Sequence, residues 1–114
     1  MKHLSIITLV FLMASFTPAI IKNVKAKIYV VDEANNPIPG ATVILYDSFE
    51  NYKKEEHPIV TEITNEKGFA EFKNLQEIVY YILARKGDLN NNGGNNATDT
   101  LHLKGKNRFE IMIN

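Results

Sequence analysis

Residues 36–46 read NPIPGATVILY, and this stretch decides the fold. Two prolines separated by one residue exclude a helix at its start, and Gly40 can adopt the positive φ that a tight turn requires. The segment 41–46 that follows places apolar side chains on both alternating faces. A short apolar run directly after such a turn predicts a β-strand that is covered on both sides.

Six further segments outside this stretch have the same character. β-branched and aromatic residues dominate them, and Asn, Gly or Pro residues lie between them. The predicted strands are residues 27–32, 41–46, 59–64, 69–72, 79–85, 100–103 and 108–113. The charged connection 47–58 has room for one helical turn after Ser48, but the run is too short to predict a helix. The pattern predicts an all-β fold, a seven-stranded antiparallel Greek-key sandwich of the immunoglobulin-like or prealbumin-like type.

The N-terminal residues are predicted to lie outside this domain. Residues 1–3 are a short basic start, and residues 4–16 (LSIITLVFLMASF) are almost uninterrupted apolar sequence. This is the layout of a secretory signal peptide, and the run is shorter than the roughly 20 residues that a membrane-spanning helix needs. Ala19 and Ala26 are the two candidate cleavage points. We prefer Ala26, which gives a signal peptide over 1–26 and a domain over 27–114.

An uncleaved membrane anchor is the alternative, because Ile20 and Ile21 lengthen the apolar run. If the signal peptide is removed, no transmembrane segment is expected in the remaining chain. The protein is then expected to be secreted, periplasmic or displayed on the cell surface.

The net charge of the predicted domain bears on nucleic acid as a partner. Cleavage after residue 26 leaves 10 basic and 13 acidic residues, a net charge of −3. Nucleic-acid binding needs a basic surface and is therefore not expected.

Three segments of the chain resemble the carboxypeptidase regulatory-like domains, which belong to the wider group of transthyretin-like (prealbumin-like) sandwiches. The resemblance lies in NPIPGATVILY, in TNEKGFAEF at 64–72 and in NL at 74–75, and it covers about residues 27–84. It implies that Gly40 and Gly68 serve turns, and that the core includes Ala41, Val43, Leu45, Ala70 and Phe72. Domains of this family are non-catalytic modules, so the resemblance implies no enzymatic activity and no cofactor.

One enzymatic group of the same fold, the transthyretin-related hydroxyisourate hydrolases, places His and Arg residues in a tunnel between subunits and ends in Tyr-Arg-Gly-Ser. This chain instead ends Ile-Met-Ile-Asn, and after residue 26 its histidines are His57 and His102. Neither is part of a recognisable pair of base and orienting group. The chain also has no cysteine, which removes thiol catalysis and Cys-ligated zinc. No catalytic residue is predicted, and the protein is expected not to be an enzyme.

Residues 88–99 (DLNNNGGNNATD) have the ligand spacing of a calcium loop. Asp88, Asn90 and Asn92 stand at the first three ligand positions, Gly93 at the sharp turn and Asp99 at the twelfth position. The spacing also resembles dockerin repeats. However, Asp99 replaces the usual bidentate Glu, and the flanking segments read as strands where the motif needs a following helix. A solvated turn is therefore favoured, no metal ligand is assigned, and a weak calcium-dependent adhesive module is retained as an alternative.

Strand alternation predicts a surface for a partner. If Ile28/Val30, Ala41/Val43/Leu45 and Val79/Tyr81/Leu83 are buried, the side chains between them point outward. In an immunoglobulin-like sandwich the first, second and fifth strands share one sheet, which would bring these side chains together. The candidate partner surface is Tyr29, Val31, Ile44, Tyr46, Tyr80 and Ile82. The alternative is that residues 47–58 or the N-terminal segment fold over it.

The function predicted from these observations is an exported, non-enzymatic β-sandwich module that binds a protein partner or self-associates, as in surface assembly. The alternative is a carbohydrate-binding module of the starch-binding-like fold. That alternative is weakened because the chain has no Trp for stacking on sugars, although five Tyr residues are present. No cofactor is expected under either interpretation.

Overall fold

The computed structural model describes residues 23–114, so most of the predicted signal peptide lies outside the described residues. Within that range, seven strands form two sheets and one short helix lies on the second sheet. The strands are β1 (Val24–Val31), β2 (Thr42–Tyr46), β3 (Val60–Ile63), β4 (Phe69–Leu75), β5 (Tyr81–Lys86), β6 (Leu89–Asn90) and β7 (Arg108–Met112), and helix α1 (Phe49–Lys54) follows β2. The protein is therefore an all-β sandwich, as the strand pattern predicts.

Sheet A has the strand order β4-β1-β7, and sheet B has the order β3-β2-β5-β6. All paired strands run antiparallel except β1 and β7, which are parallel. This pair is an exception to the antiparallel arrangement that we predicted. It arises because a long connection after β6 returns the chain from sheet B to sheet A, where β7 runs beside β1 in the same direction. No helix in the described part of the chain is long and apolar enough to cross a membrane.

The sixth strand is not where the sequence predicts it. Residues 100–103 contain no strand, although Leu101 is buried and donates its N–H to the carbonyl oxygen of Ile78 at 3.1 Å. Leu103, two residues later, is exposed. The alternation of Leu and polar residues at 100–103 is typical of a strand, but only the side chain of Leu101 reaches the core. The sixth strand is instead the two-residue β6, which pairs with the end of β5.

The core lies between the two sheets and consists of inward-facing side chains from both. Strands contribute every second residue to it, because successive side chains of a strand point to opposite faces. The five core positions that the family resemblance implies are all buried. The core cluster is Val24, Ala26, Ile28, Val30, Ala41, Val43, Leu45, Ala70, Phe72, Leu75, Tyr80, Ile82, Ala84, Leu101, Ile111 and Ile113.

The two turns that carry the resemblance are bound to each other. The buried hydroxyl of Thr64 accepts the N–H of Ala41 at 2.8 Å and donates to the carbonyl oxygen of Ile38 at 2.6 Å. Gly68 has a φ of +82°, and its carbonyl oxygen accepts the N–H of Val30 at 2.8 Å. A Cβ at Gly68 would lie 2.6 Å from the Cβ of Pro37. The proline turn therefore packs against a backbone position that only glycine fits.

We expect Gly68→Ala to lower the free energy of unfolding by about 2–3 kcal/mol, because the new methyl group adds a steric clash to the strain of a left-handed backbone. Pro37 is bridged to Val31 and cannot move away freely. Urea unfolding followed by circular dichroism measures the change. Gly93→Ala is the matched control, since a Cβ there meets nothing within 4 Å. Equal urea midpoints for the two variants would contradict this account.

β1 begins at Val24, three residues before the predicted domain boundary. Val24 is fully buried and pairs with Leu75 of β4. The side-chain amide of Asn107 donates to the carbonyl oxygen of Lys25 at 2.9 Å. The boundary predicted after Ala26 therefore falls inside a strand, and cleavage there would remove part of the core.

Candidate functional site

Helix α1 covers part of the outer face of sheet B. Its N-cap is Ser48, whose hydroxyl accepts the N–H of Asn51 at 3.1 Å, and it ends at Glu55, which has a left-handed φ of 54°. Lys53 and Lys54 in the last turn suit the negative end of the helix dipole. A helix of six residues is not stable alone in water. Its contacts with the sheet must therefore hold it in place.

Aromatic rings make most of those contacts. The ring of Tyr52 lies 6.0 Å from that of buried Tyr46 on β2, measured between centroids. Phe49 stacks on Tyr52 at 5.9 Å and contacts Tyr81 of β5 at 5.6 Å. Burial under the helix raises the pKa of the Tyr46 hydroxyl. The outermost rings, Phe49, Tyr52 and Tyr81, form an aromatic cluster that remains partly exposed.

The predicted six-residue partner surface does not form. Tyr29 and Val31 lie on β1 in sheet A, whereas the other residues lie on or beside β2 and β5 in sheet B. Only Tyr29 and Ile44 are partly exposed, and they belong to different sheets. The remaining side chains are at most 8% exposed: Val31, Tyr46, Tyr80 and Ile82.

Two features of the structure account for this correction. The first is helix α1, which covers Tyr46. Residues 47–58 therefore fold over part of the predicted surface, which is one of the two alternatives that the sequence leaves open. On β5 the predicted alternation is inverted, so that Tyr80 and Ile82 point into the core and Tyr81 points outward. Tyr80 is held inward because its hydroxyl accepts the N–H of Gln76 at 3.0 Å and its own N–H is donated to the Thr98 hydroxyl at 2.9 Å.

A different exposed surface lies at the edge of sheet B. β3 pairs with β2 on one side, and no other strand of the described chain pairs with its second side. Ile59 is 47% exposed and Ile63 is 63% exposed, and Thr61 between them is exposed as well. We call these three residues the β3 edge row. The sequence predicts a strand over 59–64 but does not show which of its faces is exposed. The signal for an exposed edge is a run of β-branched residues in which Glu62 is the only charge.

The loop with calcium-like spacing is organised around a buried asparagine. Asn91 is 1% exposed; its Oδ1 accepts the N–H of Ala84 at 3.0 Å. Its Nδ2 donates to the carbonyl oxygens of Ile82 at 2.9 Å and Asn95 at 3.1 Å. Asn91 stands at the fourth position of the loop, which is not a ligand position in the calcium spacing. Among the described residues there is no group of three or more His, Asp or Glu side chains that could hold a metal ion.

The outer face of sheet A carries cations that are engaged with aromatic rings. The ammonium of Lys27 lies 4.6 Å from the centroid of the Phe69 ring. The guanidinium of Arg108 lies 5.0 Å from the Tyr29 ring and donates a hydrogen bond to its hydroxyl at 2.6 Å. These contacts explain why Tyr29 is only partly exposed. The face is charged rather than apolar, unlike the β3 edge row.

Comparison with known proteins supports the fold. No family model matches the chain, and no curated protein matches it. Among solved structures, the Bacillus anthracis TIE protein is similar, with a TM-score of 0.54 and 19% sequence identity over 81% of this chain. The match spans only 16% of the length of the TIE protein. At this identity the similarity shows a shared fold and nothing further.

Proposed function

We propose that this protein is an exported, non-enzymatic β-sandwich module that acts by binding a protein partner or a further copy of itself. The β3 edge row is the observation that carries the proposal. The open side of an edge strand presents unpaired N–H and C=O groups, onto which another chain can add a strand. Ile59 and Ile63 add exposed apolar side chains at the same edge.

Export is part of the proposal, and so is membership of the carboxypeptidase regulatory-like group. The apolar segment at 4–16 supports export. We place the cleavage after Ala19 rather than after Ala26, because Val24 and Ala26 belong to the core cluster. The contacts of Thr64 and Gly68 with the proline turn support the family proposal, since the shared motifs meet at that point. The module would then work in the periplasm, on the cell surface or in the medium.

Carbohydrate binding is the second candidate function, and the aromatic cluster favours it. The Phe49 and Tyr52 rings stack with an interplanar angle of 29°, and Lys53 lies 5.6 Å from the Phe49 ring. Exposed aromatic faces can stack against apolar faces of sugars. This candidate ranks second because Tyr52 and Tyr81 also support α1 and are only partly exposed. A glycan array separates the two candidates.

We expect a photo-crosslinking amino acid at position 63 to form adducts with another protein chain in the organism that exports the protein. The matched control is the same amino acid at position 112, because Met112 is 49% exposed on β7, at an edge of sheet A. Position 63 should give adducts and position 112 few or none; mass spectrometry of the adducts identifies the partner. Labelling of equal strength at both positions would contradict a specific role for the β3 edge.

A further inference from the structure

We propose that the partner at this edge is a second copy of the same chain, joined through β3 in an antiparallel pair whose two-fold axis passes at Thr61. This inference rests on the proposed function and names its partner. The pair would extend sheet B of one copy continuously into sheet B of the other. The β3 edge row and the backbone of Thr61 would form the centre of the contact.

β3 is the least protected sheet edge in the described chain. Sheet A ends in β4, which exposes Glu71 and Lys73, and in β7, which exposes Arg108 and Glu110. Alternating charges on edge strands are a common protection against unwanted pairing. The other edge of sheet B is β6, which has only two residues. β3 carries one charge, Glu62, and has an exposed isoleucine at its last position, Ile63, and another just before its start, Ile59.

The backbone of β3 leaves suitable groups free at the open side. Thr64 donates its N–H to the carbonyl oxygen of Ala41 at 2.9 Å. In an antiparallel pair, residues that bond to the partner strand alternate with residues whose N–H and C=O point away. Val60 and Glu62 therefore point toward β2, and Thr61 and Ile63 point to the open edge. Thr61 can exchange two hydrogen bonds with Thr61 of a second copy.

The outward side chains of β3 in one copy match those of β3 in the second copy. Cross-strand register with β2 places Thr61 and Ile63 on the outer face of sheet B, beside Ile44 and Thr42. A two-fold axis at Thr61 then sets Thr61 opposite Thr61 and brings Ile63 of each copy near the side chain of Ile59 of the other. Ile59 lies just before β3 and contributes its side chain only, because its N–H is donated to the carbonyl oxygen of Leu45 at 2.8 Å. β-branched pairs and Thr–Thr pairs are favourable across strands. The exposed isoleucines would be covered on both copies.

The single charge selects the register. With the axis at Thr61, Glu62 lies opposite Val60 of the second copy. If the strands shifted so that the axis passed at Glu62, the two Glu62 carboxylates would face each other directly, and like charges in that position are destabilising. Charge and apolar matching therefore favour the Thr61 register.

Analytical ultracentrifugation of the mature protein over a wide concentration range tests the proposal. The wild type should show reversible dimerisation, and Ile63→Lys should weaken it by about 100-fold or more, since two apolar contacts are lost per dimer. Thr61→Pro should have a similar effect; its N–H points away from β2, so proline is tolerated there in the monomer. Met112→Lys is the matched control and should dimerise as the wild type does. A wild type that remains monomeric at every concentration overturns the proposal.

Cysteine variants test the register independently, because the chain has no native cysteine. Across a hydrogen-bonded antiparallel pair the Cα atoms lie about 5.5 Å apart, within the range of a disulfide. Under mild oxidation Thr61→Cys should form a disulfide-linked dimer faster than Glu62→Cys. The reverse order overturns the Thr61 register. A third outcome separates this inference from the proposed function. If position 63 crosslinks to a different protein and the purified chain is monomeric, self-pairing is overturned and the proposed function stands.

Discussion

A chain that begins at Lys27 should be less stable than one that begins at Ile20 by about 4 kcal/mol or more. The shorter chain lacks Val24, which is fully buried, and Ala26, which is 3% exposed. Full burial of a Val side chain contributes about 1.5–3 kcal/mol. Leu75 and Phe72 of β4 would lose the strand residues with which they pair. The loss is large because the deletion removes core side chains and backbone pairing together.

The shorter chain also loses a hydrogen bond that holds the 101–107 connection against β1. Asn107, which is buried, donates its side-chain N–H to the carbonyl oxygen of Lys25 at 2.9 Å and to that of His102 at 2.8 Å. Without Lys25 the first of these bonds has no acceptor. The connection leads directly into β7, so we expect the parallel pairing of β1 with β7 to weaken as well.

Urea unfolding of three chains, starting at Ile20, Asn23 and Lys27, measures this effect. The chain starting at Asn23 is the control; it keeps all of β1 and should match the chain starting at Ile20. If the protein is exported as we propose, mass spectrometry of its mature form should find Ile20 as the first residue. A mature N-terminus at Lys27, with a urea midpoint equal to that of the longer chains, would contradict the account.

Replacing Asn91 by Ala should lower the free energy of unfolding by about 3–4 kcal/mol. The Asn91 side chain bonds to the N–H of Ala84 and to the carbonyl oxygen of Ile82, both on β5. It therefore completes the hydrogen bonding of residues 82–84 on the side of β5 that faces away from β2, where no strand in the described part of the chain pairs with them. A buried donor or acceptor left without a partner costs about 1–3 kcal/mol. The third bond, to Asn95, closes the loop itself.

Asn92→Ala is the matched control for this variant, because Asn92 is the next residue and is exposed. We expect the control to change the free energy of unfolding by less than about 0.5 kcal/mol. Amide hydrogen exchange should also show faster exchange at Ala84 in Asn91→Ala than in the control. Similar urea midpoints for both variants would mean that water replaces the amide without loss, contrary to our expectation.

Local sequence patterns were sufficient to predict most of the strands and turns that build the sandwich. The Pro-x-Pro-Gly turn, the NEKG turn and the strands around 41–46, 59–64, 69–72 and 108–113 all appear at or near the predicted positions. These features depend on backbone sterics and on the alternation of a strand, and both act over a few residues. They could therefore be read without knowing which strands are neighbours.

The location of the exposed surface depended on the tertiary structure. β5 and the residues before it are apolar on both faces, so alternation alone could not show that Tyr80 and Ile82 point inward. The helix in the 47–58 connection is too short to predict from propensity, because its stability comes from rings on the sheet. The sequence also does not show that β1 and β2 lie in different sheets, because this depends on which distant strands pair with each of them.

The asparagine loop shows the same division between local and long-range information. Asn90, Asn91 and Asn92 are chemically identical, and the sequence singled out the first and third of them by their spacing. The structure buries the second, because the course of the loop beside β5 places its amide against free backbone groups of that strand. Composition predicts a turn at this point. Only the packing of the loop on β5 decides which side chain is structural, since hydrogen-bond partners 7 and 9 residues away must be brought within about 3 Å.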